Sequence, residues 1–145
     1  MQSNSPVYQF LANYKNAVFA KDIDAFCSLY AEDVCVFDAW GGPWIVRGID
    51  ALRESTKEWF DSLGNERVLV GDDEVQASVD SIHASGHGIW RFAALSPSGQ
   101  ELRWLENRFS VSMRKEGELW KIVHQHTSSP AEFSTMKVQL RRVVE

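Results

Sequence analysis

The sequence contains few cysteines and no long apolar run, and each of these scarcities excludes a class of protein. Only two of its 145 residues are cysteine, Cys27 and Cys35, which is too few for a disulfide scaffold. Both lie among apolar neighbours, so we expect buried free thiols. The longest strictly apolar runs have four residues, whereas a helix that crosses a membrane needs about 20. The sequence therefore predicts no membrane association.

Positive charge is also scarce. Lys and Arg total 15 against 20 Asp and Glu, which gives a net charge of −5. This balance argues against binding to nucleic acid or to an acidic membrane surface. The N-terminus has no basic residue before Lys15 and no long apolar region, so it does not resemble a secretory signal. We therefore expect a cytoplasmic protein.

Linkers and common catalytic motifs are missing as well. No repeat, low-complexity tract or Pro/Gly/Ser linker divides the chain, which predicts a single domain over residues 1–145. Residues 131–145 form a tail whose weak periodicity leaves strand, helix and loose arm open. There is no nucleophile elbow, phosphate loop, Rossmann fingerprint or Cys-x-x-Cys pair. We expect no cofactor.

Aromatic residues, by contrast, are abundant. The chain has six Trp, three Tyr and eight Phe. In a small acidic domain such a load indicates a bulky core, a lined cavity or an interface with a partner.

Periodicity predicts three helices, with two short strands before the third helix and a run of longer strands after it. Ser5-Pro6 is a good helix start, Asp22 can cap a second helix, and a third begins at Gly48 and stops at Gly64-Asn65. The candidate strands cover residues 34–37, 44–46, 66–70, 74–79, 82–95, 101–114 and 119–128. This order indicates an α+β fold with the helices on one face of an antiparallel sheet.

Alternation along the last two long strands places several polar side chains among apolar ones. Asn107 shares a face with Leu105 and Phe109, where it is either a structural amide or a donor aimed into a cavity. His124 and His126 share a face with Trp120, where they could line a cavity, stabilise the fold or bind metal. Two histidines are too few for a zinc site, so we predict no metal.

Two further residues carry a structural and a chemical interpretation. Asp38 closes the first short strand before a glycine turn, where it is either a turn residue or a general base held near aromatic rings. Tyr14 lies on the apolar stripe of the first helix, where it is either a core tyrosine or a hydroxyl donor.

Four stretches of the chain, in order, are similar to one family. They read KDIDAF at 21–26, YAEDV at 30–34, RGIDAL at 47–52 and WKIVHQHTS at 120–128. With them, the span from about Val7 to Pro130 resembles the nuclear transport factor 2-like superfamily, which includes ketosteroid isomerases, SnoaL-like polyketide cyclases and a kinase association domain. The resemblance implies a cone, in which a strongly curved mixed sheet wraps three N-terminal helices around an apolar pocket. It also implies a homodimer through the convex sheet face.

The resemblance further implies chemistry at particular residues. By position, Asp38 matches the isomerase base, Tyr14 matches a hydroxyl donor, and Asn107 falls where the isomerases carry a protonated acid. We therefore predict catalytic roles for Asp38, Tyr14, Asn107 and His126 in proton transfer on a small apolar carbonyl compound. The predicted pocket wall comprises Trp40, Trp44, Trp90, Phe109, Trp120 and His124. The alternative is a non-catalytic ligand-binding or association domain.

Overall fold

A computed structural model describes residues 4–143, so residues 1–3 and 144–145 of the predicted domain and tail lie outside the described residues. It confirms an α+β fold with three helices, the third of which follows the first two strands. These are α1 (Pro6–Ala20), α2 (Ile23–Cys27) and α3 (Gly48–Ser62). The Asp22 side chain caps α2 as expected, accepting a hydrogen bond from the amide of Ala25 at 3.0 Å. Within residues 4–143, no helix combines the length and apolar character that a bilayer crossing requires.

One mixed six-stranded sheet packs against these helices. Its strands are β1 (Tyr30–Phe37), β2 (Val46–Arg47), β3 (Arg67–Val79), β4 (His83–Leu95), β5 (Glu101–Glu116) and β6 (Leu119–Ser128). Their order across the sheet is β2-β1-β6-β5-β4-β3, and only the β1–β6 pair is parallel. The face that packs against α1 and α3, which we call the inner face, carries the main apolar core. The predicted mixed sheet is therefore confirmed.

The structure corrects one strand boundary. Residues 66–70 and 74–79 were expected to form separate strands, but they belong to the single strand β3. The register against β4 shifts between Asp73 and Gln76, and Glu74 adopts a positive φ of 54°. An irregularity of this kind accommodates an extra residue and bends a strand without ending it. The two predicted strands are therefore one strand with an irregularity between Asp73 and Gln76.

The tail begins with a small hairpin and then runs along an edge of β5. Strands β7 (Ala131–Glu132) and β8 (Lys137–Val138) pair with each other. After β8, the backbone carbonyl of Leu140 accepts a hydrogen bond from the amide of Glu106 at 2.8 Å. Since β6 pairs with β5 only from Arg108 onwards, this contact lies on the part of β5 that β6 leaves unpaired.

Two glycines of β4 let other elements approach the inner face of the sheet. A Cβ atom at Gly86 would lie 2.6 Å from Val7 Cγ1 of α1, and one at Gly88 would lie 3.0 Å from the ring of Phe109. In this space Phe109 stacks on Trp90 at 4.4 Å between ring centroids, and Trp90 stacks on Tyr14 at 4.5 Å. The two glycines therefore allow the close packing that holds the Tyr14 side chain in place.

We expect Gly86→Ala to lower the free energy of unfolding by about 1–3 kcal/mol, because Val7 is a fully buried, β-branched residue that cannot move aside without repacking. Gly71→Ala is the matched control, since nothing lies within 4 Å of a Cβ atom there. The control should stay within about 0.5 kcal/mol of the wild type. Urea unfolding curves of both variants measure the difference. Equal stability of the two variants would contradict the close contact at Gly86.

Candidate functional site

A cavity of about 740 Å³ opens between the inner face of the sheet and helices α1 and α3. Its volume lies within the range of roughly 300–1,000 Å³ that is typical of small-molecule sites. Most of the buried lining is apolar: Phe26, Val36, Val46, Leu52, Val68 and Ala94. The exposed lining forms the mouth, which is built from the loop Trp40–Pro43, from Asp38, Ser55 and Glu58, and from Arg103 and Leu140. The resulting enclosure suits a small apolar ligand.

Five polar side chains lie in the buried part of this lining. They are Tyr14 of α1, Thr56 of α3, Asn107 of β5, and Gln125 and Thr127 of β6, each less than 9% exposed. The Tyr14 hydroxyl makes no hydrogen bond to residues 4–143. Asn107 Oδ1 is buried without a hydrogen-bond partner among these residues. An unpaired buried polar atom costs about 1–3 kcal/mol.

The environment of Tyr14 keeps its hydroxyl protonated. Burial raises the pKa of Tyr14 well above its usual value, and the nearby Asp38 carboxylate contributes in the same direction. Tyr14 therefore faces the cavity as a neutral hydroxyl that can donate a hydrogen bond. Tyr14 and Asp38 both line the same cavity.

Asp38 lies at the mouth and has one of its two oxygens fixed. Thr127 donates a hydrogen bond from Oγ1 to Asp38 Oδ1 at 3.0 Å, and the amide of Trp40 donates to the same oxygen at 3.3 Å. The amide of Ala39 in turn donates to Thr127 Oγ1 at 2.9 Å. Asp38 Oδ2 accepts no hydrogen bond from the described part of the chain. The side chain is exposed, so the expected enclosure by aromatic rings is not found.

The predicted inward face of β6 is wrong beyond Ile122. Ile122 pairs with Met113 and His124 pairs with Ser112, so Val123 is an extra residue in the ladder. This bulge reverses the alternation and turns Gln125 and Thr127 inward. Phe37, His124 and His126 consequently cluster on the outer face, with ring centroids of Phe37 at 4.8 Å from His124 and 5.4 Å from His126. Neither histidine lines the cavity, so His126 has no access to a ligand bound there.

Of the six residues of the predicted aromatic wall, Trp40 lies at the mouth of the cavity. Trp44 lies on the same loop but is 94% exposed and forms no part of the cavity lining. Trp90 and Phe109 are fully buried in the stack behind Tyr14 and support it instead of lining the cavity. Trp120 packs against the core on a segment of β6 that lies outside the cavity lining.

Sequence reasoning missed Gln125, Thr127 and Trp59 among the lining residues. Trp59 lies on the apolar stripe of α3, where its ring centroid is 6.1 Å from that of Phe92, and it also borders the cavity. The two β6 residues were assigned to the outer face because the alternation was assumed to be unbroken. No residue type near Val123 marks the bulge, so the sequence contained no signal for it.

The tail contributes to one side of the mouth. Arg142 donates hydrogen bonds to the Glu106 carboxylate, at 2.6 Å from Nη2, and this pairing lowers the pKa of Glu106. Arg141 and Arg91 both lie against Trp104, with guanidinium carbons 4.1 and 4.3 Å from its ring centroid. These contacts hold Leu140 in the cavity lining. Trp104 is half-buried and also borders the cavity.

Metal-binding geometry is not found among the described residues. Within residues 4–143, no three His, Cys, Asp or Glu side chains are grouped to hold a metal ion. Both cysteines are free, with Cys27 buried and Cys35 half-buried.

We expect the stability of the protein to fall as the pH rises above about 10, the ordinary pKa of tyrosine. The folded state keeps Tyr14 protonated there while the unfolded chain releases the proton, so the stabilisation present below this pH is lost above it. Tyr14→Phe should make the fall shallower by up to about 1.4 kcal/mol per pH unit. Denaturant titrations at a series of pH values measure this slope. An unchanged slope in the variant would contradict the raised pKa of Tyr14.

Comparisons with known proteins agree with this architecture. A family model described as SnoaL-like domain matches residues 7–132. An NTF2-like protein of unknown function from Pseudomonas putida is 22% identical, with a TM-score of 0.82, over 95% of this chain and 94% of that chain. The protein Aln2 from a Streptomyces species is 13% identical, with a TM-score of 0.75, over 85% of this chain and 87% of that chain.

A third solved structure is a putative calcium/calmodulin dependent protein kinase II association domain from Xanthomonas campestris. It is 14% identical, with a TM-score of 0.73, over 87% of this chain and 86% of that chain. No curated protein matches the sequence. At these identities the solved structures show the fold alone, whereas the family model covers most of the chain. The chain belongs to the SnoaL-like domain family, on an NTF2-like fold.

Proposed function

We propose that the protein binds a small apolar carbonyl compound in its cavity and catalyses proton transfer at a carbon beside the carbonyl. The observation that carries this proposal is the arrangement of Asp38 at the mouth of an apolar cavity. Its Oδ1 is held by Thr127 and Trp40, while Oδ2 is left free to accept a proton. A base with one oxygen fixed presents the other in a defined direction, which general base catalysis requires.

The step develops negative charge on the carbonyl oxygen of the substrate, where hydrogen-bond donors are available. Asp38 Oδ2 takes the proton, the C–H electron pair forms the C=C bond of an enolate, and the carbonyl π pair moves onto oxygen. The Tyr14 hydroxyl and the Asn107 amide, both in the buried lining, can donate hydrogen bonds to that oxygen. Return of the proton to the same or another carbon completes an exchange or an isomerisation.

During this step the electrostatic interaction between Asp38 and Tyr14 changes in a way that stabilises the enolate. The carboxylate charge raises the pKa of Tyr14 before the reaction. Proton transfer neutralises Asp38, so this opposition disappears as the negative charge develops on the substrate oxygen. The Tyr14 hydroxyl therefore becomes a stronger donor when the enolate needs it.

The alternative function is non-catalytic binding of the same class of ligand. The observation that favours it is the exposure of Asp38, because water stays in contact with this carboxylate instead of being excluded from it. Binding without proton exchange would support this alternative.

We expect Asp38→Asn to slow proton exchange at the carbon beside the carbonyl of 2-tetralone by about 100-fold or more. The amide cannot accept the proton, while the cavity and its donors remain. The exchange is followed by proton NMR in deuterated water, and binding of 2-tetralone should change by less than about threefold, or roughly 0.7 kcal/mol. Asp72→Asn, an exposed carboxylate away from the cavity lining, is the matched control. Wild-type exchange rates in Asp38→Asn would remove Asp38 from the reaction.

We further propose that the outer face of the sheet forms a homodimer, as the resemblance implies. The cluster of Phe37, His124 and His126 supports this, because it places aromatic rings on the face of the sheet opposite to the one that α1 and α3 cover. Sedimentation should then give about twice the chain mass of 16.5 kDa. A carboxylate in the cluster, His126→Glu, should shift the equilibrium toward monomer, whereas His83→Glu at the start of β4 should not. A monomeric wild type would overturn the dimer.

A further inference from the structure

Gln125 is a buried amide whose oxygen is already occupied. It lies on the inner face of β6, is 7% exposed and lines the cavity. The Tyr30 hydroxyl donates a hydrogen bond to Gln125 Oε1 at 2.6 Å, and this contact joins the start of β1 to the middle of β6. The bond therefore fixes the side-chain amide of Gln125 from the protein side of the cavity wall.

The direction of this hydrogen bond follows from the surroundings of Tyr30. Tyr30 is 3% exposed, and its hydroxyl has no second partner within residues 4–143. Burial raises the pKa of Tyr30 well above its usual value, so the hydroxyl keeps its proton and must place it on an acceptor. The carbonyl oxygen of Gln125 is the acceptor in reach, because the amide nitrogen carries only donors.

This orientation leaves the Gln125 amide nitrogen, Nε2, with two hydrogens to donate. Nε2 makes no hydrogen bond to the described part of the chain. Nε2 is not among the fully buried atoms that lack a partner, so it keeps accessible surface, and a ligand oxygen in the cavity can accept a hydrogen bond from it. Gln125 thus differs from Asn107, whose amide no neighbouring side chain holds in one orientation.

The position of Gln125 relative to the proposed base suits a carbonyl compound. Gln125 and Thr127 point to the same side of β6, two residues apart, and Thr127 holds Asp38. Residues two apart on a strand are separated by roughly 7 Å. A small ligand whose oxygen accepts a hydrogen bond from Gln125 therefore directs the carbons next to that oxygen toward Asp38.

We infer that Gln125 is a further hydrogen-bond donor for the substrate oxygen, in addition to Tyr14 and Asn107, and that Tyr30 is a positioning residue that keeps the Gln125 amide in its donating orientation. This inference rests on the proposed carbonyl-binding function and narrows its substrate class. The site selects molecules that bring an acceptor oxygen, such as a ketone or an enolate, to this end of the cavity. It disfavours molecules of the same shape that bring an apolar group or an ammonium there.

Two molecules of nearly the same shape test this selection. 2-Tetralone carries a carbonyl oxygen, and tetralin lacks it. Dissociation constants for both are measured by protein NMR with wild type, Gln125→Met and Tyr30→Phe. Gln125→Met should weaken 2-tetralone binding about three- to tenfold and leave tetralin unchanged. Tyr30→Phe should weaken 2-tetralone binding in the same direction, because the freed amide can then turn its oxygen toward the ligand.

Controls separate binding from folding. Gln76→Met makes the same substitution on an exposed residue of β3 and should change neither affinity. If Gln125→Met alone unfolds because it strands the Tyr30 hydroxyl, the double variant Tyr30→Phe/Gln125→Met removes both partners and should still lose the preference for 2-tetralone. The side-chain amide signals of Gln125 should shift with 2-tetralone and stay in place with tetralin.

The outcomes distinguish this inference from the proposed catalysis. Equal weakening of both ligands in Gln125→Met, or unmoved Gln125 amide signals, would overturn the oxygen contact. Wild-type selectivity in Tyr30→Phe would overturn the positioning role. Selective binding that persists when the wild type exchanges no protons would support Gln125 and refute the catalytic role of Asp38. Failure of the wild type to prefer 2-tetralone over tetralin would overturn both.

Discussion

The close approach of α1 and Phe109 to β4 is the constraint on which the cavity depends. Gly86 and Gly88 provide room for it, since a Cβ atom at either position would collide with Val7 or with the Phe109 ring. Because the aromatic rings then stack from β5 through β4 to α1, the Tyr14 side chain has its back fully packed. A hydroxyl on a rigid ring at a cavity wall costs little entropy when it binds a ligand. The lack of side chains at Gly86 and Gly88 thereby allows the packing that fixes the position of the Tyr14 hydroxyl.

Local patterns predicted the parts of the fold that depend on local contacts. The α1 stripe placed Tyr14 inward, and alternation along β5 placed Asn107 inward, because neither element is interrupted where these residues lie. The β6 bulge could not be predicted, since it arises from register against β5 and β1 instead of from any residue of β6. Because Val123 is an extra residue, Gln125 and Thr127 lie on the inner face, where His124 and His126 were predicted. The resemblance supplied Asp38, but its exposure and its hydrogen bonds are visible only in three dimensions.

Two polar groups of the cavity lining, Asp38 and Gln125, each have one atom hydrogen-bonded to the protein and another atom available to a ligand. Thr127 holds one oxygen of Asp38, and Tyr30 holds the oxygen of Gln125. The members of each pair are far apart in the sequence, at separations of 89 and 95 positions. Half-satisfied groups are costly in an ordinary core. In a cavity, a ligand that completes these hydrogen bonds removes that cost, and the free energy recovered contributes to its affinity.

Charge at the mouth bears on which molecule that can be. Asp38 and Glu58 both lie there, whereas the neighbouring Arg103 is engaged by Glu66 through two hydrogen bonds, the shorter 2.7 Å. Because Glu66 offsets the positive charge of Arg103, the carboxylates of Asp38 and Glu58 set a negative field on their side of the mouth. Such a field disfavours substrates that are already anions and admits neutral ones. A neutral ketone passes this field, and its negative charge develops only inside, where it replaces the charge that Asp38 has lost.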